Sequence, residues 1–168
     1  ANANCQAAIP DLTVGAILNR RCLPELLRAA ARLARVHPGL VLDVVGENRT
    51  HPRLDLEALA RATGLGGRLR LSGFVDDDAL ALRYAAADAA VFLSEYEGFG
   101  LPPLEAAARG VPLVVGRAPS PGEIFADAAV VVDSRVETAA AGSRRRRVRR
   151  CEPRRPGPRR GLHRAAVH

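Results

Sequence analysis

The sequence predicts an α/β fold, a doubly wound parallel sheet, over residues 12–133. Two observations predict it. Short apolar segments alternate with amphipathic segments about six times over roughly 120 residues, with short connections between them. Glycines and polar residues also gather just after the apolar segments. Parallel sheets hold their ligands there, beyond the carboxyl ends of the strands.

The elements follow in order. Residues 1–11 carry little pattern and read as the remnant of a linker. Residues 12–14 read as a short strand ending at Gly15, and residues 16–21 as a loop with Arg20 and Arg21 adjacent. Leu23, Leu26, Leu27, Ala30, Leu33 and Ala34 recur at helical spacing, with Pro24 tolerated in the first turn. His37-Pro38-Gly39 ends that helix. Leu40–Val45, interrupted by Asp43 and ending at Gly46, reads as a strand buried on both faces. A polar loop over residues 47–53 follows. Leu56, Leu59 and Ala60 mark a helix stopped at Gly64. Residues 69–71 read as a strand with Gly73-Phe74-Val75 as its exit. Asp76, Asp77 and Asp78 precede a helix through Leu80, Leu82 and Tyr84. Residues 89–93 and 113–115 read as strands, residues 121–124 as the opening of a short helix, and residues 129–132 as a last strand.

The 168 residues suit one domain of ordinary size. There is no methionine, so the chain reads as a piece of a longer protein. All 25 basic residues are arginine, and their charge is uneven. Residues 135–168 hold 12 arginines against Glu137 and Glu152, a net of +10 within the overall +7, so the remainder carries −3. Residues 134–168 lack periodicity, are rich in Arg, Pro and Gly, and read as a disordered low-complexity tail. The tail is read as a reading-frame artefact or a degenerate end. Cys5, Cys22 and Cys151 are scattered, which argues against a disulfide scaffold or a zinc site and fits a reducing, cytoplasmic setting. No apolar run approaches the ~20 residues of a membrane span.

The chemistry centres on Ser94-Glu95-Tyr96-Glu97-Gly98-Phe99-Gly100-Leu101-Pro102-Pro103-Leu104-Glu105. It joins a buried strand to a helix whose prolines fall in the first turn. Gly98 and Gly100 let the backbone approach a ligand and present its N–H groups, with the helix dipole behind them. Glu97 lies on this turn and Glu105 eight positions later. A phosphate cradle between two carboxylates suits a nucleotide-diphosphate-sugar, because carboxylates accept hydrogen bonds from sugar and ribose hydroxyls.

The run EGFGLPPLEAAARGVPLVV closely resembles the Glu-x7-Glu motif of the retaining family 4 glycosyltransferases, which have the two-domain GT-B fold. The run VGAILNRRCLPELLRA resembles the same family's Val-Gly, short loop, Arg-Lys, apolar-helix segment, with Arg21 where the family normally has lysine. The resemblance covers residues 12–133 and implies the Rossmann-like, C-terminal, nucleotide-sugar-binding half of a GT-B enzyme. It implies that Arg20 and Arg21 neutralise the donor diphosphate, with Arg21 holding the leaving group as charge builds on it. It implies that Glu105 holds the ribose and that Glu97 faces the transferred sugar with a possible catalytic part. It also implies that the backbone of Gly73, Phe74 and Val75 meets the base. Gly15, Gly46, Glu47, Gly98, Phe99, Gly100 and Leu101 complete the expected donor site.

Other features are set aside. Asp76-Asp77-Asp78 contains an Asp-x-Asp, but helix capping and dipole complementarity explain it, so no metal is expected and no cofactor besides the donor substrate. His37, His51, His163 and His168 have no ligand spacing. Gly64-Leu65-Gly66-Gly67 follows a helix rather than a strand and lacks a third glycine, so it is not read as a dinucleotide loop. The arginine tail has no aromatic residue for base stacking and is not read as a nucleic-acid site.

The sequence therefore reads as part of a hexosyltransferase-type glycosyltransferase. The resemblance implies that the parent enzyme moves a sugar, with retention, from a nucleotide-diphosphate donor to an acceptor hydroxyl on a carbohydrate or glycolipid. The acceptor is expected to be held by a preceding domain, and the parent enzyme to be capable of peripheral membrane association. The chain by itself is expected to transfer nothing. Two alternatives stand beside this reading: a non-catalytic nucleotide-sugar-binding relic, and a basic polyanion-binding protein acting through its tail.

Overall fold

A computed structural model describes residues 9–96, 100–117, 125 and 128–133. Six strands form one sheet: β1 (Ile9–Val14), β2 (Leu40–Val45), β3 (Leu69–Ser72), β4 (Ala89–Phe92), β5 (Leu113–Gly116) and β6 (Ala129–Val132). Among the described residues, four α-helices accompany them: α1 (Leu23–Leu33), α2 (Leu56–Thr63), α3 (Asp77–Ala86) and α4 (Leu101–Ala108). The strand order is β3-β2-β1-β4-β5-β6, and every pairing is parallel. The chain winds outward from β1 to β3, then returns to place β4 on β1's other side. Strand order reverses there, so the crevice between the carboxyl ends of β1 and β4 is where a doubly wound sheet binds its ligand.

Each face of the sheet carries its own core. On one side Leu23, Leu26, Leu27 and Ala30 of α1 and Leu56 and Ala60 of α2 pack on Leu40, Leu42 and Val44 of β2 and Val91 of β4. On the other side Tyr84 of α3 and Ala106 of α4 pack on Leu12, Val14, Ala90, Phe92, Leu113 and Val115. Central strands buried on both faces explain why β2 reads as a nearly continuous apolar run.

One expectation needs correction. β1 starts at Ile9, inside the stretch read as a linker remnant. Pro10 and Asp11 disguise its first half. Proline and a carboxylate are both depleted in central strands, yet here they register opposite Val41 and Leu42 of β2. The helix expected through Leu80, Leu82 and Tyr84 is α3, and Leu82 lies 72% exposed on it because residues two apart on a helix face different directions.

The capping expectations appear in the backbone. Asp76 accepts a hydrogen bond from the Ala79 N–H at 2.7 Å and caps α3. Gly64 ends α2 in the left-handed region at φ 85°. A buried ion pair joins Arg83 of α3 to Asp43 of β2, which is why a charged residue interrupts that strand. No described helix is long and apolar enough to cross a membrane. The opening at residues 121–124 and the tail at residues 134–168 lie outside the described residues.

Candidate active site at the strand-order reversal

The loops after β1, β2 and β4 converge on the carboxyl edge of the sheet. Past Gly15 and Gly46, β1 and β2 continue to pair irregularly. Ile17 donates to the Glu47 carbonyl and accepts from the Arg49 N–H, each at 2.8 Å. Asn19 adds a side-chain clasp. Its Oδ1 accepts from the His51 N–H at 2.9 Å, and its Nδ2 donates to the His51 carbonyl at 3.0 Å. Asn48 and Thr50 brace the second loop from within. Asn48 Nδ2 donates to the Leu54 carbonyl at 2.9 Å, and Thr50 Oγ1 accepts from the Leu54 N–H at 2.8 Å.

Arg20 and Arg21 form a single 3-10 turn with Asn19. Arg20 is exposed, and its carbonyl accepts from the Glu95 N–H at 2.8 Å. That bond ties the arginine turn to the loop leaving β4, across the strand-order reversal. Arg21 folds back over the end of β1, its Nη1 donating to the Val14 carbonyl at 3.3 Å. A Cβ on Gly15 would stand 3.0 Å from Arg21 Nη2, so the bare glycine makes room for the guanidinium.

Beyond β4 the structure describes Gly100, Leu101 and Glu105. Gly100 precedes α4 at φ 73°, a conformation that glycine adopts without strain. Leu101 is 61% exposed at the helix start. Glu105 lies one turn in, and its Oε2 accepts from the Tyr84 hydroxyl at 3.3 Å. Glu97, Gly98 and Phe99 lie outside the described residues.

Gly15, Gly46, Glu47, Gly73, Phe74 and Val75 line one cleft of about 330 Å³. Segments far apart in the chain thus meet around a single hollow. The Phe74 ring is 87% exposed at its rim. Glu47 lies on the wall with its carboxylate held by Arg49, Oε2 being 2.9 Å from Nε and 2.5 Å from Nη2. A neighbouring cleft of about 850 Å³ shares Gly46, Glu47 and Gly73 and extends past Arg49, Arg53 and Asp55. Among the described residues, no three His, Cys, Asp or Glu side chains are grouped to hold a metal ion.

Sequence reasoning missed Asn19, Asn48, Arg49 and Tyr84. The first three sit in polar loops with no periodicity to mark them. Tyr84 passes as one more apolar residue of α3.

The sequence model of the family described as glycosyl transferases group 1 matches residues 12–147. The chain belongs to this family. Glycogen synthase of Mycobacterium tuberculosis is 38% identical over 116 residues, which is 67% of this chain and 27% of that protein. D-inositol 3-phosphate glycosyltransferase 2 of Catenulispora acidiphila is 38% identical over 142 residues, 78% of this chain and 31% of the relative. The chain thus spans between a quarter and a third of these relatives' length. Among solved structures, the C-terminal domain of the group 1 glycosyl transferase LpcC from Francisella tularensis superposes with TM-score 0.65 at 29% identity. The match covers 76% of this chain and 69% of that one. WaaG, a glycosyltransferase of lipopolysaccharide biosynthesis, superposes with TM-score 0.64 at 27% identity, over 76% of this chain and 34% of its own. The fold is that of a GT-B C-terminal domain.

Proposed function

We propose that this glycosyltransferase chain binds a nucleotide-diphosphate-sugar donor at the carboxyl edge of its sheet, as the donor half of a sugar transfer with retained configuration. The observation that carries the reading is the bond from the Glu95 N–H to the Arg20 carbonyl. It sets the arginine turn and the loop into α4 against each other at the strand-order reversal.

In this reading the base enters the cleft by Gly73, Phe74 and Val75. The Glu105 carboxylate accepts hydrogen bonds from ribose hydroxyls. The diphosphate lies between Arg21 and the start of α4 at Gly100 and Leu101, where the helix dipole favours negative charge. In the transfer, the bond from the anomeric carbon to the diphosphate oxygen breaks and its electron pair leaves with the diphosphate. The acceptor oxygen forms the new bond on the same face and gives its proton to the departing diphosphate oxygen. Arg21 stabilises the charge that grows on the leaving group; one such donor contributes about 10²–10³ in rate. Its bond to the Val14 carbonyl orients the guanidinium in advance.

The acceptor hydroxyl must also be held against the sugar carbon, and positioning supplies a large share of the rate. Transfer is therefore proposed for the whole protein, with donor binding assigned to this domain of residues 12–133. Donor binding by this chain without transfer is part of the same proposal, as is a cytoplasmic setting.

Calorimetry with several nucleoside diphosphates and their sugars tests the reading. Glu105→Ala is expected to weaken the best ligand about 10- to 150-fold, the loss typical of a charged hydrogen-bonding partner. Equal affinity in wild type and Glu105→Ala would remove Glu105 from the site and overturn the reading.

A further inference from the structure

Tyr84 is the one α3 residue that is fully buried, and it still carries a hydroxyl. A buried phenol needs hydrogen-bond partners, whereas phenylalanine would fill the same space without that demand. Among the described residues, both acceptors within reach belong to α4. The hydroxyl lies 3.2 Å from the Pro102 carbonyl and 3.3 Å from Glu105 Oε2. Its single proton is shared between the helix's first turn and the carboxylate one turn further in. Arg109 completes the cluster: its guanidinium lies 5.1 Å from the Tyr84 ring centre, and its Nη1 donates to the Glu105 carbonyl at 3.2 Å. Burial, and next the Glu105 charge, push the Tyr84 pKa upward, so the phenol keeps its proton and stays a donor.

We propose that Tyr84 is a positioning residue, holding the Glu105 carboxylate in the orientation that receives the ribose hydroxyls. This rests on the reading of Glu105 given above. Three side-chain torsions separate the Glu105 carboxylate from the backbone, and freezing them on binding costs affinity. A hydroxyl from the neighbouring helix restricts them beforehand. Tyr84 reaches Glu105 from the interior, so the carboxylate is restrained from behind while the solvent side stays open to ligand.

The test uses the full chain with Tyr84→Phe, Glu105→Ala and the double variant. Each is titrated with a nucleoside diphosphate and with its 2′,3′-dideoxy analogue. Tyr84→Phe is expected to weaken the ribose ligand about 3- to 10-fold and leave the dideoxy ligand unchanged. Adding it to Glu105→Ala should produce no further loss. A Tyr84→Phe chain that binds the ribose ligand as wild type does, while Glu105→Ala loses it, would overturn the proposal alone. Equal weakening of both ligands by Tyr84→Phe would show a structural role and overturn it too. Unchanged binding in Glu105→Ala would overturn the underlying reading of the site as well.

Should Tyr84→Phe fail to fold, ¹⁹F NMR decides instead. The chain has two tyrosines, so 3-fluorotyrosine labelling in a Tyr96→Phe background reports on Tyr84 alone. Its resonance should shift with the ribose ligand and not with the dideoxy one. An identical response to both would overturn the proposal.

Discussion

The position a Cβ would occupy on Gly46 lies 2.2 Å from the carbonyl oxygen of Gly15. No side-chain atom fits there, and Gly46 also sits at φ 141°. The contact is backbone against backbone, so no rotamer change can relieve it. The two strand exits can cross this closely only because Gly46 has no side chain. That crossing brings the β1 and β2 loops to one cleft.

Gly46→Ala is therefore expected to destabilise the chain by well over 1 kcal/mol, since both strain and clash oppose it. Gly67→Ala is the control: nothing lies within 4 Å of its Cβ position, and its φ is ordinary. Urea unfolding should show a large loss for the first and a change within about 1 kcal/mol for the second. Similar values for the two variants would show that the strain and the close approach at Gly46 do not limit the fold.

The Arg83–Asp43 pair tests how α3 is held. Asp43 is 8% exposed at its side chain and Arg83 29%. Removing the arginine leaves a buried carboxylate without its counter-charge. Arg83→Met is expected to cost about 3 kcal/mol, the low end for breaking a buried pair, because Arg83 is partly solvated. Pairing it with Asp43→Leu should recover most of the loss. If the double variant is as unstable as Arg83→Met, packing of the arginine stem is the larger contribution.

Asp11 gives a pH dependence of defined sign. Burial first, and the neighbouring Asp88 charge second, raise its pKa from 3.8 to about 6. The folded chain thus holds this proton to higher pH than the unfolded chain. Between pH 3.8 and about 6 the unfolded state has released it and the folded state has not, so stability falls as pH rises through this window. The loss is at most about 3 kcal/mol, complete above pH 6. Asp11→Asn stays neutral at all pH. Its stability relative to wild type should rise across the window and level off above it. A difference independent of pH would show that Asp11 ionises normally in the folded chain.

How much was legible in the sequence follows from the range of the interactions. Alternating apolar segments placed the strands because burial on both faces leaves a continuous run, as in β2. Arg21 and Glu105 stood out because a turn and a helix start have local chemistry. Ile9, Pro10 and Asp11 did not read as a strand, because their pairing with β2 lies some 31 positions along the chain. Asp43 looked like an interruption, since its partner Arg83 lies 40 residues away. Tyr84 looked like core for the same reason. Its ring is core, and the hydroxyl's partners, 18 and 21 residues on, are set by how α3 and α4 pack. No spacing rule reaches across such distances.

Cys22 stands where the arginine turn becomes α1. Its φ of 48° and ψ of 36° put a non-glycine residue in the left-handed region, while its side chain is 7% exposed in the α1 core. Packing and backbone make opposite demands on this position. If packing dominates, Cys22→Val should fold better than Cys22→Ala, since valine fills more of the buried space. If backbone dominates, valine should fold worse, because β-branching makes left-handed residues strongly unfavourable. The backbone has the stronger claim. Left-handed geometry here lets Arg20 turn its carbonyl to the Glu95 N–H at 2.8 Å while the Leu26 N–H reaches the Cys22 carbonyl at 3.1 Å. A residue that forced φ negative would break one of those bonds. Cys22→Val is thus expected to be less stable than Cys22→Ala, by about 1–2 kcal/mol, despite its greater apolar volume. It should also weaken nucleoside diphosphate binding more than Cys22→Ala does, since the displaced turn carries Arg21. Thermal unfolding and calorimetry on the two variants decide the order. Valine matching or exceeding alanine in both would show that the arginine turn tolerates another path into α1.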